Sequence, residues 1–269
     1  MKTRCFRLVI CIAAFVALTG CAFSQVVKVT PDFELGAISQ GTPVVITVRF
    51  FADTTVRVDL GENRTQAIEF EVVNPSAEHR LIVLPLPQGL TRLGEFELNP
   101  RVPYEQMMIL AASYFQQPGT YQVFVHIKNN EKLQFHFEQG NPLTLLVSSR
   151  DETLLRESCS ILASKMRETS MAGRRMVLAD ALANVADPVA LPYLVDSLDH
   201  GWGVDFQLIR GIEKIGTSDA VTALAKASHS DTEEIAASAR SALMRLSHNS
   251  TEITIRNQAE SFVVRQAPK

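Results

Sequence analysis

The chain has 269 residues, of which 46% are hydrophobic and 20% charged, with 13 Gly and 12 Pro. This excludes a disordered or collagen-like chain and leaves room for one large or two ordinary domains with a real core. Without Lys2, Arg4 and Arg7, which lie in a segment expected to be cleaved, 23 Lys and Arg stand against 29 Asp and Glu, a net charge of about −6 that argues against nucleic-acid binding.

Residues 1–7 carry the positive charge and residues 8–18 form an apolar run of 11. That is the size of a signal-peptide core and well short of the ~20 residues a spanning helix needs, so export is expected. Directly after it, Leu18-Thr19-Gly20-Cys21 resembles a bacterial lipobox. The resemblance implies a leader over 1–20, lipidation of the Cys21 sulfur, and an anchor linker over 21–25. Cleavage after Ala22-Phe23-Ser24 by the general signal peptidase is the competing reading. The expected address is the bacterial cell envelope, lipid-anchored in the periplasm or at the outer membrane, with a soluble periplasmic or secreted form as the alternative. Cys5 and Cys11 lie in the leader, so only Cys159 remains beside Cys21 and no intramolecular disulfide is expected. Cys159 stands among Leu155, Leu162 and Met166 at helical spacing, which predicts a buried, inert thiol.

Over residues 26–149 the hydrophobic period is two. Short runs such as Val44-Val45-Ile46-Thr47-Val48-Arg49-Phe50 and Ala67-Ile68-Glu69-Phe70-Glu71-Val72 are separated by Pro, Gly, Asn and Asp clusters. Such spacing predicts eight to ten strands in a β-sandwich. Residues 107–112 are read as strand, and the sharpest local signal follows at Pro118-Gly119-Thr120-Tyr121. This turn resembles the tyrosine corner of immunoglobulin-like sandwiches, which implies that the Tyr121 hydroxyl returns to backbone near residues 115–118.

After Asp151 the period becomes 3.6, which places a domain boundary near residues 149–152. The chain then repeats: a slide of 30 sets Leu178 on Leu208, Leu182 on Ile212 and Val185 on Ile215, and a slide of 31 sets Ile212 on Leu243 and Ile215 on Leu246. Residues 181–194, with Asp187-Pro188 between two apolar stripes, resemble short bacterial HEAT repeats over 151–248. The expected fold is thus multidomain β + α: an immunoglobulin-like sandwich, then a short α-solenoid of about three HEAT-like helical hairpins. A region so short is expected to cap its first helix pair by stacking on the β half. The tail over 249–269 has a short β-like stretch at Glu252-Ile253-Thr254-Ile255.

The six histidines show neither His-x-x-x-His nor His-Glu-x-x-His spacing, so no metal site is expected. His126 and His136 fall on two strands of an expected hairpin and could pair across them. No Gly-x-Ser-x-Gly, phosphate-binding loop or Gly-x-Gly-x-x-Gly is present, so no catalytic residue and no cofactor are assigned. Asp196, Asp199, His200 and Asp205 gather around the single Trp, Trp202, where a helix end and the next helix start account for them.

The repeat offsets align Asp180, Arg210 and Ser241, and likewise Asn184, Lys214 and Arg245, four residues apart and opposite the apolar stripe. The HEAT resemblance puts such second helices on a concave face, which implies a mildly basic groove formed by Asp180, Asn184, Arg210, Lys214 and Arg245. A merely solvated helix face is the plain alternative. The family is used mainly for protein recognition, so the expectation is a non-enzymatic, membrane-anchored envelope protein that binds or scaffolds another protein through this groove. The rival is an enzyme or enzyme accessory subunit acting on envelope material, with its site at the domain junction or near His200 and Trp202. A sandwich binding carbohydrate through exposed aromatics is a third and weaker reading, given one Trp and four Tyr.

Overall fold

The computed structural model describes residues 25–60, 67–84, 94–128 and 135–266. The leader and Cys21 lie outside these residues. Among the described residues there are eleven strands followed by seven α-helices. The strands are β1 (Gln25–Phe33), β2 (Ala37–Ser39), β3 (Val44–Phe51), β4 (Val56–Asp59), β5 (Ile68–Val73), β6 (His79–Val83), β7 (Glu95–Leu98), β8 (Tyr104–Leu110), β9 (Gly119–Ile127), β10 (Phe135–Gln139) and β11 (Leu143–Ser148). The helices are α1 (Glu152–Glu168), α2 (Ala172–Ala183), α3 (Leu191–Asp196), α4 (Asp205–Ile215), α5 (Ser218–Ala227), α6 (Glu233–Asn249) and α7 (Ile253–Gln266).

The strands form a sheet in the order β10-β1-β3-β8, a second in the order β2-β11-β9-β5-β6, and a separate β4-β7 pair. This overturns the expected immunoglobulin-like sandwich with a three-hairpin solenoid. Both main sheets are mixed, with β1 parallel to β10 in one and β11 parallel to β2 in the other, and seven helices follow. The expectation rested on local alternation and one turn, whereas sheet order is decided by pairings more than 100 residues apart, such as Val27 with Phe137. For the same reason β10 does not pair with β9: it joins β1 in the other sheet, so His136 pairs with Val26 and His126 with Glu69.

Tyr121 is the third residue of β9, with its ring buried against Phe115. Its hydroxyl donates to the Gln117 carbonyl and accepts from the Gln117 N–H, both at 3.0 Å. The strand before it ends at Leu110, two residues earlier than its sequence suggests, and Ala112–Tyr114 form a short 3-10 turn.

β3 explains how the halves meet. Val44, Ile46, Val48 and Phe50 face the core between the sheets, while Val45 belongs to the core of the helices and Thr47 is also buried. Both faces of this strand are covered from Val44 to Val48, which suits the successive apolar residues Val44-Val45-Ile46. In register, Val45 lies opposite Ile109 and Thr47 opposite Met107, and α2 packs on this face of β3 and β8 while α1 packs on β2.

The entry to the helices is fixed by hydrogen bonds. The Asp151 side chain accepts from Thr153 and Leu154 N–H at 2.8 and 3.1 Å, satisfying the free donors that open α1, and the buried Ser39 hydroxyl accepts from Asp151 N–H at 2.8 Å. Leu155, Cys159, Leu162 and Met166 then bury one stripe of α1. α2, α4 and α6 pack in succession, and Gly211 allows the first of these contacts: a Cβ there would lie 2.7 Å from the Ala183 Cα. The stretch read as a tail with a β-like run is helical. Ile255, Ala259 and Phe262 recur at helical spacing and pack α7 against α5 and α6.

Candidate functional site

α4 lies between α2 and α6. Leu208, Ile209 and Ile212 bury its inner face, which leaves Phe206, Arg210 and Lys214, spaced by four, along its outer side. Asp180 and Asn184 reach this surface from α2 and the residue ending it, and Arg245 from α6. All five expected groove residues line one of two adjoining depressions, of about 700 and 580 Å³, that share Arg210 and Lys214. Ser241, which the repeat aligns with Arg210, is exposed.

The charges differ in their engagement. Lys214 Nζ donates to Asn184 Oδ1 at 2.5 Å, and the Asn184 amide donates in turn to the Asp180 carbonyl at 2.7 Å. Arg245 is held in a two-pronged pair by Glu213, both bonds 2.7 Å, which raises its pKa further and keeps it charged. Arg210 makes no ion pair among the described residues, and its guanidinium lies 5.8 Å from the centre of the exposed Phe206 ring. Burial raises the Asp180 pKa, with Lys214 and Arg210 opposing; burial and the Arg210 charge lower that of Lys214, with Asp180 and Glu213 opposing. Three cations facing two acids leave the surface one unit positive, a weaker basic groove than the aligned cations alone suggest.

The larger depression is closed on its other side by the β half, through Leu84, Ile109, Ala111, Ser113 and Tyr114. The sequence reading assigned none of these to the site. Gln207 also lines it, and its Oε1 is buried with no hydrogen-bond partner among the described residues. Phe206 was legible, being four residues before Arg210 on the polar side of an amphipathic helix.

The other sequence candidates are occupied in holding the fold. The His200 ring stacks on Trp202 at 4.4 Å and its Nε2 bonds the Asp196 carbonyl at 2.9 Å, while Arg175 covers the Trp ring at 5.3 Å. Asp205 accepts from Asp199 N–H at 2.9 Å, and Asp199 accepts from the Thr232 hydroxyl at 2.8 Å. His126 bonds Glu71 at 3.0 Å rather than His136, and the same carboxylate takes His79 at 2.6 Å. Among the described residues no group of three His, Cys, Asp or Glu is placed to hold a metal ion. Cys159 is fully buried, and burial, with the Asp187 charge, pushes its thiol pKa up to about 12.

No family model and no curated protein matches the sequence. Among solved structures, β-glucosidase from Listeria innocua in complex with isofagomine is 11% identical over 46% of this chain and 16% of its own, with a TM-score of 0.29. Spo0M, a sporulation control protein from Bacillus subtilis, is 11% identical over 52% of this chain and 55% of its own, with a TM-score of 0.26. The matched stretch spans well under two thirds of either protein, and likenesses of this order carry no argument about function. Among the described residues no helix is long and apolar enough to cross a membrane.

Proposed function

We propose that the chain is a non-enzymatic envelope protein, tethered by lipid at Cys21, that binds an acidic protein partner through the surface of α2, α4 and α6. One observation carries the reading: Arg210, which makes no ion pair among the described residues, stands at the wall shared by two adjoining depressions beside an exposed aromatic ring. Arginine and aromatic side chains are both enriched in protein interfaces. The lipobox-like residues at 18–21 support the tether. The test is a photocrosslinking side chain at position 206 of the full chain in its own cell. A discrete protein adduct is expected, lost on Arg210→Glu with circular dichroism unchanged, and Cys21→Ser is expected to move the chain to the soluble envelope fraction. An adduct kept at full yield by the folded charge-reversal variant overturns the binding face, and a Cys21→Ser chain that stays in the membrane overturns the tether.

A further inference from the structure

We infer that the larger depression is a docking site for an extended peptide segment that carries one carboxylate between apolar side chains and lies across the seam of the two halves. The inference rests on the binding reading above and adds what is bound and where. Three features of the cleft select this occupant.

The helical wall supplies Arg210, and Lys214 beside it, so the site favours an anion over a neutral or cationic group. Asp180 on the same wall opposes that anion, which confines a single carboxylate to the Arg210 side. The facing wall is apolar at Leu84, Ile109 and Ala111, so a small hydrated anion leaves half the cleft uncovered. Asn184, Gln207 and Ser113 also line the cleft, polar side chains that a peptide backbone can engage and a fatty-acid chain cannot. A volume of about 700 Å³ is within the range of ligand-binding clefts.

The probe is an amidated peptide six residues long, with fluorescein on its N-terminus and one Glu among Leu and Ala, with its Gln analogue as control, titrated by anisotropy against the full chain in detergent. Saturable binding is expected, weakened about ten-fold by Arg210→Gln, by the Gln analogue and by Ala111→Trp. Ala111 is exposed at the lip of the β wall, so the indole plugs the cleft without entering the core; Ser113→Trp on the same turn is the second plug should the first unfold the chain. Loss of binding on Arg210→Gln with both folded plugs still binding overturns the inference and leaves the helical face as the partner site. Dodecanoate displacing the peptide at equal or lower concentration overturns it in favour of a fatty-acid site, and absence of binding at millimolar peptide overturns it outright.

Discussion

The two halves are joined by an ionic seam, and its centre, Glu34, is the position where a single change should matter most. The carboxylate is 6% exposed, 2.5 Å from Lys165 Nζ and 3.2 Å from Arg174, and it accepts from the Thr47 hydroxyl at 2.8 Å. Arg174 continues to Glu105, Glu105 to Arg49 and Arg49 to Asp32, so the network runs from α2 across β8 and β3 to β1. Burial alone would raise the Glu34 pKa; the hydrogen bonds from Lys165 and Thr47 and the charges of Lys165 and Arg174 outweigh it and hold it below the usual carboxylate range. Glu34→Gln keeps the shape and the Thr47 bond but leaves two cations facing a neutral amide. Breaking a fully buried pair costs about 3–5 kcal/mol; here both cations are about one-third exposed and recover some hydration, so about 2 kcal/mol is expected at pH 7. Because the folded pKa is depressed, this stabilisation is complete above the unfolded value of about 4.3 and is lost as pH falls through the folded one. Urea unfolding followed by circular dichroism should therefore show a gap between wild type and Glu34→Gln at pH 7 that closes on acidification below about pH 4. A gap under about 0.5 kcal/mol at pH 7, within the range of ordinary surface substitutions, or one that widens in acid, refutes the account.

Tyr121→Phe removes a hydroxyl that makes two backbone bonds to Gln117, and should lower unfolding stability by about 1 kcal/mol or somewhat more, measured by denaturant titration; no change would mean the turn does not depend on it. Gly211→Ala gains about 1 kcal/mol of helix propensity but sets a methyl 2.7 Å from backbone of α2 and 3.0 Å from Leu194 Cδ2. The expected net loss is about 1–3 kcal/mol, read as a lowered melting temperature, and a stabilised variant would show that α2 and α4 can part freely.

What the sequence discloses depends on the range of the interaction. The period change near residue 150, the Tyr121 turn and the apolar stripe of α1 are local, and residues a few positions apart suffice to read them. Sheet order is not local: nothing in the alternation of residues 135–139 says that they lie beside β1 instead of β9. The β-like run at 252–255 misled because four residues cannot separate the two periods, whereas Ile255, Ala259 and Phe262 taken together read as helix. One long-range feature is legible: Val44-Val45-Ile46 are apolar at successive positions, which calls for cover on both faces of the strand, and Val44 to Val48 are buried without alternation.

The same distinction applies to the site. Spacing of four and repeat offsets of 30 and 31 bring Asp180, Asn184, Arg210, Lys214 and Arg245 to one surface, because those relations lie within helices or between helices in succession. They do not disclose Glu213, which neutralises Arg245 from the neighbouring helix, nor the wall at residues 109–114, which arrives through the packing of α2 on β8. The helical surface alone is one unit positive and weakly selective; the apolar wall at Leu84, Ile109 and Ala111 makes it one side of a cleft with two unlike walls. A ligand that spans both walls stabilises the folded chain, by about 2.7 kcal/mol at a hundred-fold excess over Kd. Glu34 joins the same two halves through Lys165 and Arg174, so the ionic network and such a ligand both favour the fold in which the walls face each other.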